Sequence, residues 1–161
     1  MKKILNGYYR VLQVAMTLLM ALLIVPVALQ IFSRYTGLIP RYIWTEEIAR
    51  FCFMWIVMIG AMIAVRDGTH FDVDVLPAFR SRRLAAGHRI LVHFAMLLVA
   101  LIFVTYGYDF ARFGAQQTSE LAGLPLLTIY IAWPLAGLTW LAFLGEKLIE
   151  DFRLLDRGER P

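Results

Sequence analysis

The side chains of this sequence with chemistry to offer are few: one cysteine, Cys52; three histidines, His70, His88 and His93; and the run Glu46, Glu47 and Arg50. A lone cysteine excludes an internal disulfide and any multi-cysteine metal or cluster site. Its place inside an apolar run reads as a small buried hydrophobe. A haem held within a membrane needs two axial ligands, commonly histidines, on facing helices at one depth. His93 enters an apolar run from its basic side without a counterpart, and His70 and His88 fall in a loop. No nucleophile elbow, HExxH pair or glycine-rich phosphate loop appears, so the chain reads as no enzyme and as carrying no cofactor or metal. The acidic run is different. Arg50 follows Glu46 by four residues and Glu47 by three, so on a helix it can pair with either on one face. It is either a capping and snorkelling cluster at a membrane boundary or a docking point for a partner protein.

The elements that must position these groups are set by composition. Of 161 residues, 60% are hydrophobic and 17% charged, against about 45–50% and about 25% in soluble chains. The charges are also segregated: 23 uncharged residues separate Arg10 from Arg34, fifteen separate Arg50 from Arg66, nineteen separate Arg89 from Asp109, and 25 separate Glu120 from Glu146. Each block is near the roughly 20 residues that cross a hydrocarbon core as a helix. The expected fold is an all-α integral membrane protein with transmembrane helices at 11–33, 45–66, 88–110 and 124–147, residues 1–161 forming one four-helix membrane domain. The net charge of +4 is modest and its basic residues sit between apolar helices, so nucleic acid is no partner. The first apolar stretch, 11–33, far exceeds the roughly 7–15 residues of a signal core, and is expected to be a retained helix.

Twelve of the sixteen Lys and Arg residues lie on one side, in the N-terminus, the loop between helices 2 and 3, and the tail. The positive-inside rule places both termini in the cytoplasm, with two short loops outside. Tyr8 and Tyr9 mark the inner boundary; Tyr35, Tyr42, Trp44, Tyr106 and Tyr108 mark the outer one. Pro26 removes a donor from helix 1 and is expected to bend its outer half. Helix 2 is the informative span. Its fifteen uncharged residues reach about 22 Å, short of a core about 30 Å thick. It must therefore start near Thr45, a candidate N-cap, with Glu46 and Glu47 in the first turn where the helix dipole favours acids. Short interfacial helical segments are expected between helices 1 and 2 (RYTGLIPRYIW) and, after a stop at Gly68, between helices 2 and 3, where Val75, Leu76 and Phe79 face lipid tails and Arg80, Arg82 and Arg83 face head groups.

A self-sufficient small transporter keeps an ionisable group within the hydrocarbon as a coupling site. The four blocks hold no acid, lysine or arginine, which leaves a scaffold or partner subunit. Gly60 with Ala64, and Ala132 with Ala136 beside Gly137, allow close helix approach either within the chain or with a partner.

The stretch FSRYTGLIPRYIWTEEIARFCFMWIVMIGAMIAVRDGTHFDVDVLP, Phe32 to Pro77, resembles the signature of the DctQ-like small permease subunit of tripartite ATP-independent periplasmic (TRAP) transporters. The resemblance rests on Arg34-Tyr35, Trp44, Glu46-Glu47, Ala49-Arg50, Trp55, Gly60-Ala61, Arg66, Gly68, His70, Val73-Asp74 and Leu76-Pro77, and in a last helix on Pro125, Tyr130, Pro134 and Gly137; it covers about 11–150. It implies a secondary, usually sodium-coupled importer of organic anions in a bacterial or archaeal cytoplasmic (inner) membrane. In it an extracytoplasmic binding protein delivers substrate, a large membrane subunit carries the substrate and ion sites, and the small subunit is a scaffold in contact with membrane lipids. The chain resembles the separate form of the subunit and not its fusion to the large one. On this reading Glu46, Glu47 and Arg50 face a partner, and Arg66, His70 and Asp74 organise the inner end of helix 2. The alternative is a quinone- or haem-associated membrane anchor of a respiratory enzyme, which a Soret band would reveal.

Overall fold

Inside a bilayer every backbone polar group must be satisfied within the protein, which for a chain this apolar means helices. The computed structural model describes residues 2–37, 40, 42–67 and 82–156. They form α1 (Lys2–Thr36), α2 (Trp44–Asp67), α3 (Arg82–Gly114), α4 (Leu127–Tyr130) and α5 (Ala132–Asp156). Four spans are long and apolar enough to cross a membrane: Lys3–Thr36, Trp44–Asp67, Val92–Gly114 and Leu127–Lys147. The all-α, four-span expectation therefore holds, with helices that run past their uncharged blocks. Helices stop where the backbone is told to stop, and a boundary charge does not tell it so. α1 ends only at Gly37, whose φ of 63° is the left-handed conformation that terminates helices.

Two boundaries differ from expectation for identifiable reasons. α2 starts at Trp44, one residue early, so Thr45 is no N-cap. Its hydroxyl instead donates to the Tyr42 carbonyl at 2.6 Å, and the residue is almost fully buried. The fourth span starts at Leu127 and not at 124, because the backbone before it closes a hairpin. Ser119 N–H donates to Leu124 O at 2.8 Å and Leu126 N–H to Gln117 O at 3.0 Å, around Gly123 at φ 66°. The same span is interrupted at Ile131. Pro134 has no N–H for the Tyr130 carbonyl, yet Ile131 keeps right-handed helical dihedrals (φ −64°, ψ −20°), so α5 continues from α4. Pro26, by contrast, sits within an uninterrupted α1. Between α1 and α2, the described residues 37, 40, 42 and 43 are non-helical. Of the expected interfacial segment between helices 2 and 3, Arg82 and Arg83 instead open α3, and the rest, with Gly68, lies outside the described residues.

The helices form an open row, α1–α2–α5–α3, with α4 against α3 and α2. Sequence explains the edge position of α1. Leu5, Tyr8, Tyr9, Leu12, Ala15, Met16, Leu19, Leu23, Pro26, Leu29, Gln30 and Ser33 are its covered residues, a single seam at three- and four-residue steps. The rest of α1 faces outward: only 6% of its most apolar stretch is buried, against 44% for the fourth span. The core lies on α2 and α5, where Met58, Ile59, Met62 and Val65 meet Ala132, Ala136, Trp140, Phe143 and Leu144. Cys52 is buried as well, as its apolar context indicates. We call the end carrying the 117–126 hairpin the hairpin end, and the other, where α1 begins, the terminal end.

Candidate anchoring and docking clusters

The acidic run of α2 divides in two at the hairpin end. Glu46 and Arg50 form an i,i+4 pair at 3.9 Å with both side chains 68% exposed, a geometry that contributes well under 1 kcal/mol. Glu47 turns inward. Its carboxylate accepts the Ala122 N–H at 2.5 Å, binding the first turn of α2 to the hairpin between α3 and α4. A charged acceptor on a half-buried amide is among the stronger tethers a protein has. Two turns further along α2, Trp55 donates its indole N–H to the Thr128 carbonyl at 2.9 Å, so α2 also holds the start of the fourth span. Trp44 opens α2 with its ring 5.9 Å from that of Tyr42, and Arg34 is exposed near the end of α1.

At the terminal end Arg66 is a hub. Its guanidinium donates to Glu146 Oε2 on α5 at 3.3 Å and to Asn6 Oδ1 on α1. Both members of the ion pair are largely shielded, at 19% and 14% side-chain exposure, where pairing matters more than at a surface. The same guanidinium lies over the rings of Phe143 (4.9 Å) and Tyr9 (5.4 Å). Around it the Tyr9 hydroxyl donates to Asp67 at 2.7 Å, and the Lys147 ammonium donates to the Val65 carbonyl at 3.0 Å. That last bond satisfies a C-terminal carbonyl of α2 with a cation, as the helix dipole favours. A third bond ties α1 to α5, from the Tyr8 hydroxyl to Thr139 Oγ1 at 2.9 Å; the Thr139 hydroxyl is itself a donor to Leu135 O. Arg66 thus organises the terminal end with Asn6, Tyr9 and Glu146. His70 and Asp74, expected to share that task, lie outside the described residues.

The small residues pack α3 on α5. A Cβ on Gly137 would stand 2.9 Å from the Ala100 carbonyl and from Val104, and one on Gly107 would stand 2.8 Å from the Pro134 nitrogen. Pro134 therefore seats against a glycine, and Ala132 and Ala136 are fully buried beside it. Of the two readings left open for these pairs, packing within the chain describes α5. Gly60 is different: a Cβ there meets only Met16 Cε, at 3.8 Å. An aromatic ladder lines the same joint, with Phe110 stacked on Tyr130 at 3.9 Å and Phe103 between Trp133 (5.2 Å) and Trp140 (4.7 Å).

Asn6, Glu146, Lys147 and Ala122 are not singled out by the sequence, and Tyr9 is marked there only as an interfacial aromatic. A signal existed for one of them: Arg66 and Glu146 each bound an uncharged block on the same side of the membrane, opposite in sign. The Ala122 contact has no side-chain signature, because its donor is backbone.

Two clusters of charge that tie three helices together, with a row of outward apolar faces, describe a part built to be held in a membrane beside something else. Relatives agree. A protein described as a putative TRAP transporter small permease protein from Haemophilus influenzae is 26% identical over 99% of this chain and 98% of its own length. The C4-dicarboxylate TRAP transporter small permease protein DctQ of Rhodobacter capsulatus is 31% identical over 59% of this chain and 43% of its own. The sialic acid TRAP transporter permease protein SiaT of H. influenzae is longer. It is 25% identical over 68% of this chain, which is only 18% of SiaT. The family model described as "Tripartite ATP-independent periplasmic transporters, DctQ component" matches residues 23–154, and the chain, a multi-pass membrane protein, belongs to that family.

Proposed function

We propose that this chain is the scaffold subunit of a TRAP-type secondary importer of an organic anion, non-enzymatic itself and coupled to sodium through a large membrane subunit. The observation that carries this reading is the double fastening of α2. Glu47 holds it to the hairpin and Arg66 holds it to α1 and α5. A helix fixed at both ends to its neighbours suits a part that stays still while another moves. The large partner is supported by the match of this chain to a fifth or less of the longer SiaT permease protein, in which a small-permease region is joined to much more chain. An anionic cargo is supported by the sialic acid and C4-dicarboxylate named in its relatives. The extracytoplasmic binding protein docks at the hairpin end, where Glu46 and Arg50 stand exposed. Both termini then lie in the cytoplasm, as the basic bias of that side requires.

The test is a pull-down of the C-terminally tagged chain from its native membrane in mild detergent, followed by reconstitution of whatever co-purifies. A stoichiometric large multi-helix protein, and anion uptake that needs both chains and a sodium gradient, are the expected results. Isolation of the chain alone, or with a soluble redox enzyme and a Soret band, would overturn the proposal.

A further inference from the structure

At the hairpin end an open cavity of about 480 Å³ lies between the last turn of α1 and the first of α2, lined by Leu29, Gln30, Ser33, Arg34, Tyr42, Ile43, Thr45 and Glu46. Ser33 is the informative member. It is only 8% exposed, its side chain lines the cavity, and it has no hydrogen-bond partner among the described residues. A hydroxyl that lines an open cavity with no partner among the described residues can both donate to and accept from a ligand there. The Gln30 amide and the Arg34 guanidinium likewise make no side-chain bond among the described residues, so donors and a fixed positive charge line one cavity. Glu46 stands at its rim, held only by the long, exposed contact to Arg50, and is free to accept a second cation. A cation and hydroxyl on one side and a carboxylate on the other match a zwitterion carrying a phosphate and an ammonium.

The surroundings place that zwitterion on a lipid. Tyr35, Tyr42 and Trp44, 84%, 46% and 42% exposed, ring the same level, and amphipathic aromatics mark the depth of phospholipid head groups. α1 is an edge helix of the row, so the cavity opens at the perimeter, where lipid is the neighbour. Ile43, 63% exposed at the mouth, gives an acyl glycerol an apolar shoulder. We propose that this cavity is a specific site for an ethanolamine phospholipid, with the phosphate on Arg34, Ser33 and Gln30 and the ammonium on Glu46. The proposal needs only that this end of α1 lies at a bilayer surface, and it is independent of the transport reading.

Native mass spectrometry of the full chain tests it. The chain is loaded with equal amounts of phosphatidylethanolamine and phosphatidylglycerol and then challenged with inorganic phosphate. The wild-type chain is expected to retain one phosphatidylethanolamine. Arg34→Gln should reduce retention of both lipids by about tenfold or more, the effect of losing a charged hydrogen bond. Glu46→Gln should leave lipid bound but abolish the preference for ethanolamine over glycerol. Arg34→Lys, which keeps the charge, should restore part of the retention, and unchanged thermal unfolding of each variant separates lost binding from lost fold. No retained lipid, equal retention by Arg34→Gln, or a preference untouched by Glu46→Gln would overturn the proposal. So would displacement of the lipid by phosphate alone, which identifies a soluble anion as the ligand. Repeating the measurement on the chain with its co-purifying proteins closes the remaining route: loss of the lipid there, with Arg34 cross-linking to a protein, assigns the cavity to that protein instead.

Discussion

Arg66 concentrates more of this protein's fastening in one side chain than any other described residue, because a guanidinium can serve an acid, an amide and two ring faces at once. A lysine cannot: it is a point charge without the planar fork. Arg66→Lys is therefore expected to lower stability in detergent, and Arg66→Ala further, by about 2–4 kcal/mol, since Glu146 is left shielded and unpaired. Thermal unfolding of the purified variants measures this, and Glu146→Gln should cost less than either because the amide still accepts a hydrogen bond. Glu47 makes a second, separable prediction. Glu47→Ala should speed hydrogen exchange at the Ala122 amide by about tenfold or more, with little change in the α2 core around Met62. Exchange at Ala122 matching the wild type would show that the carboxylate does not hold the hairpin.

The helices differ in how closely they approach, and glycine marks where. At the α3–α5 joint, Gly137→Ala is expected to cost about 1–3 kcal/mol, because its new methyl would stand 2.9 Å from a backbone carbonyl that cannot rotate away. Gly107→Ala meets the Pro134 ring and backbone in the same way. Gly60→Ala is the contrast. Its methyl would touch only the flexible end of Met16 at 3.8 Å, and the gain in helix propensity, up to about 1 kcal/mol, should leave stability equal or raised. The three variants unfolded side by side in one detergent check the ranking. Gly60 and Gly137 look alike in sequence, each beside alanines in an apolar helix; the difference is that α1 meets α2 along a side-chain seam whereas α5 meets α3 at backbone distance.

The open row leaves one face of α1 and one face of α3 uncovered among the described residues, with Val14, Leu18, Val25, Phe94, Leu101 and Phe113 among the exposed apolar residues. In water such faces would aggregate, and in a bilayer they meet lipid or another subunit. A cysteine introduced at Leu18 is expected to react with a membrane-permeant maleimide when the chain is purified alone in detergent, while Cys52, 6% exposed, stays unreacted. Protection of Leu18→Cys after assembly with co-purifying proteins would place α1 against the partner; unchanged labelling would place it against lipid. Topology has its own test. A fluorescent reporter on the C-terminus that matures only in the cytoplasm should be bright, and an alkaline phosphatase fusion there should be inactive; the reverse pattern would invert the orientation proposed above.

The spans, their number and the segregation of charge were legible in the residues, because the bilayer judges each stretch of about 20 by its own transfer free energy and asks nothing of its neighbours. The early start of α2 followed the same way, from a block too short to cross. The family signature was readable for a related reason: its residues lie close together in the chain. Which charges meet was not. Arg66 and Glu146 are 80 residues apart, and Glu47 finds its partner in a backbone amide 75 residues away whose side chain is a methyl. Neither pairing has a local cost or reward until α2 lies against α5 and the 117–126 hairpin. The same holds for the row itself. Apolar faces are equally content against lipid or helix, so hydropathy cannot order them. Side-chain shape settles the order: glycine opposite proline at α3–α5, and one narrow seam on α1.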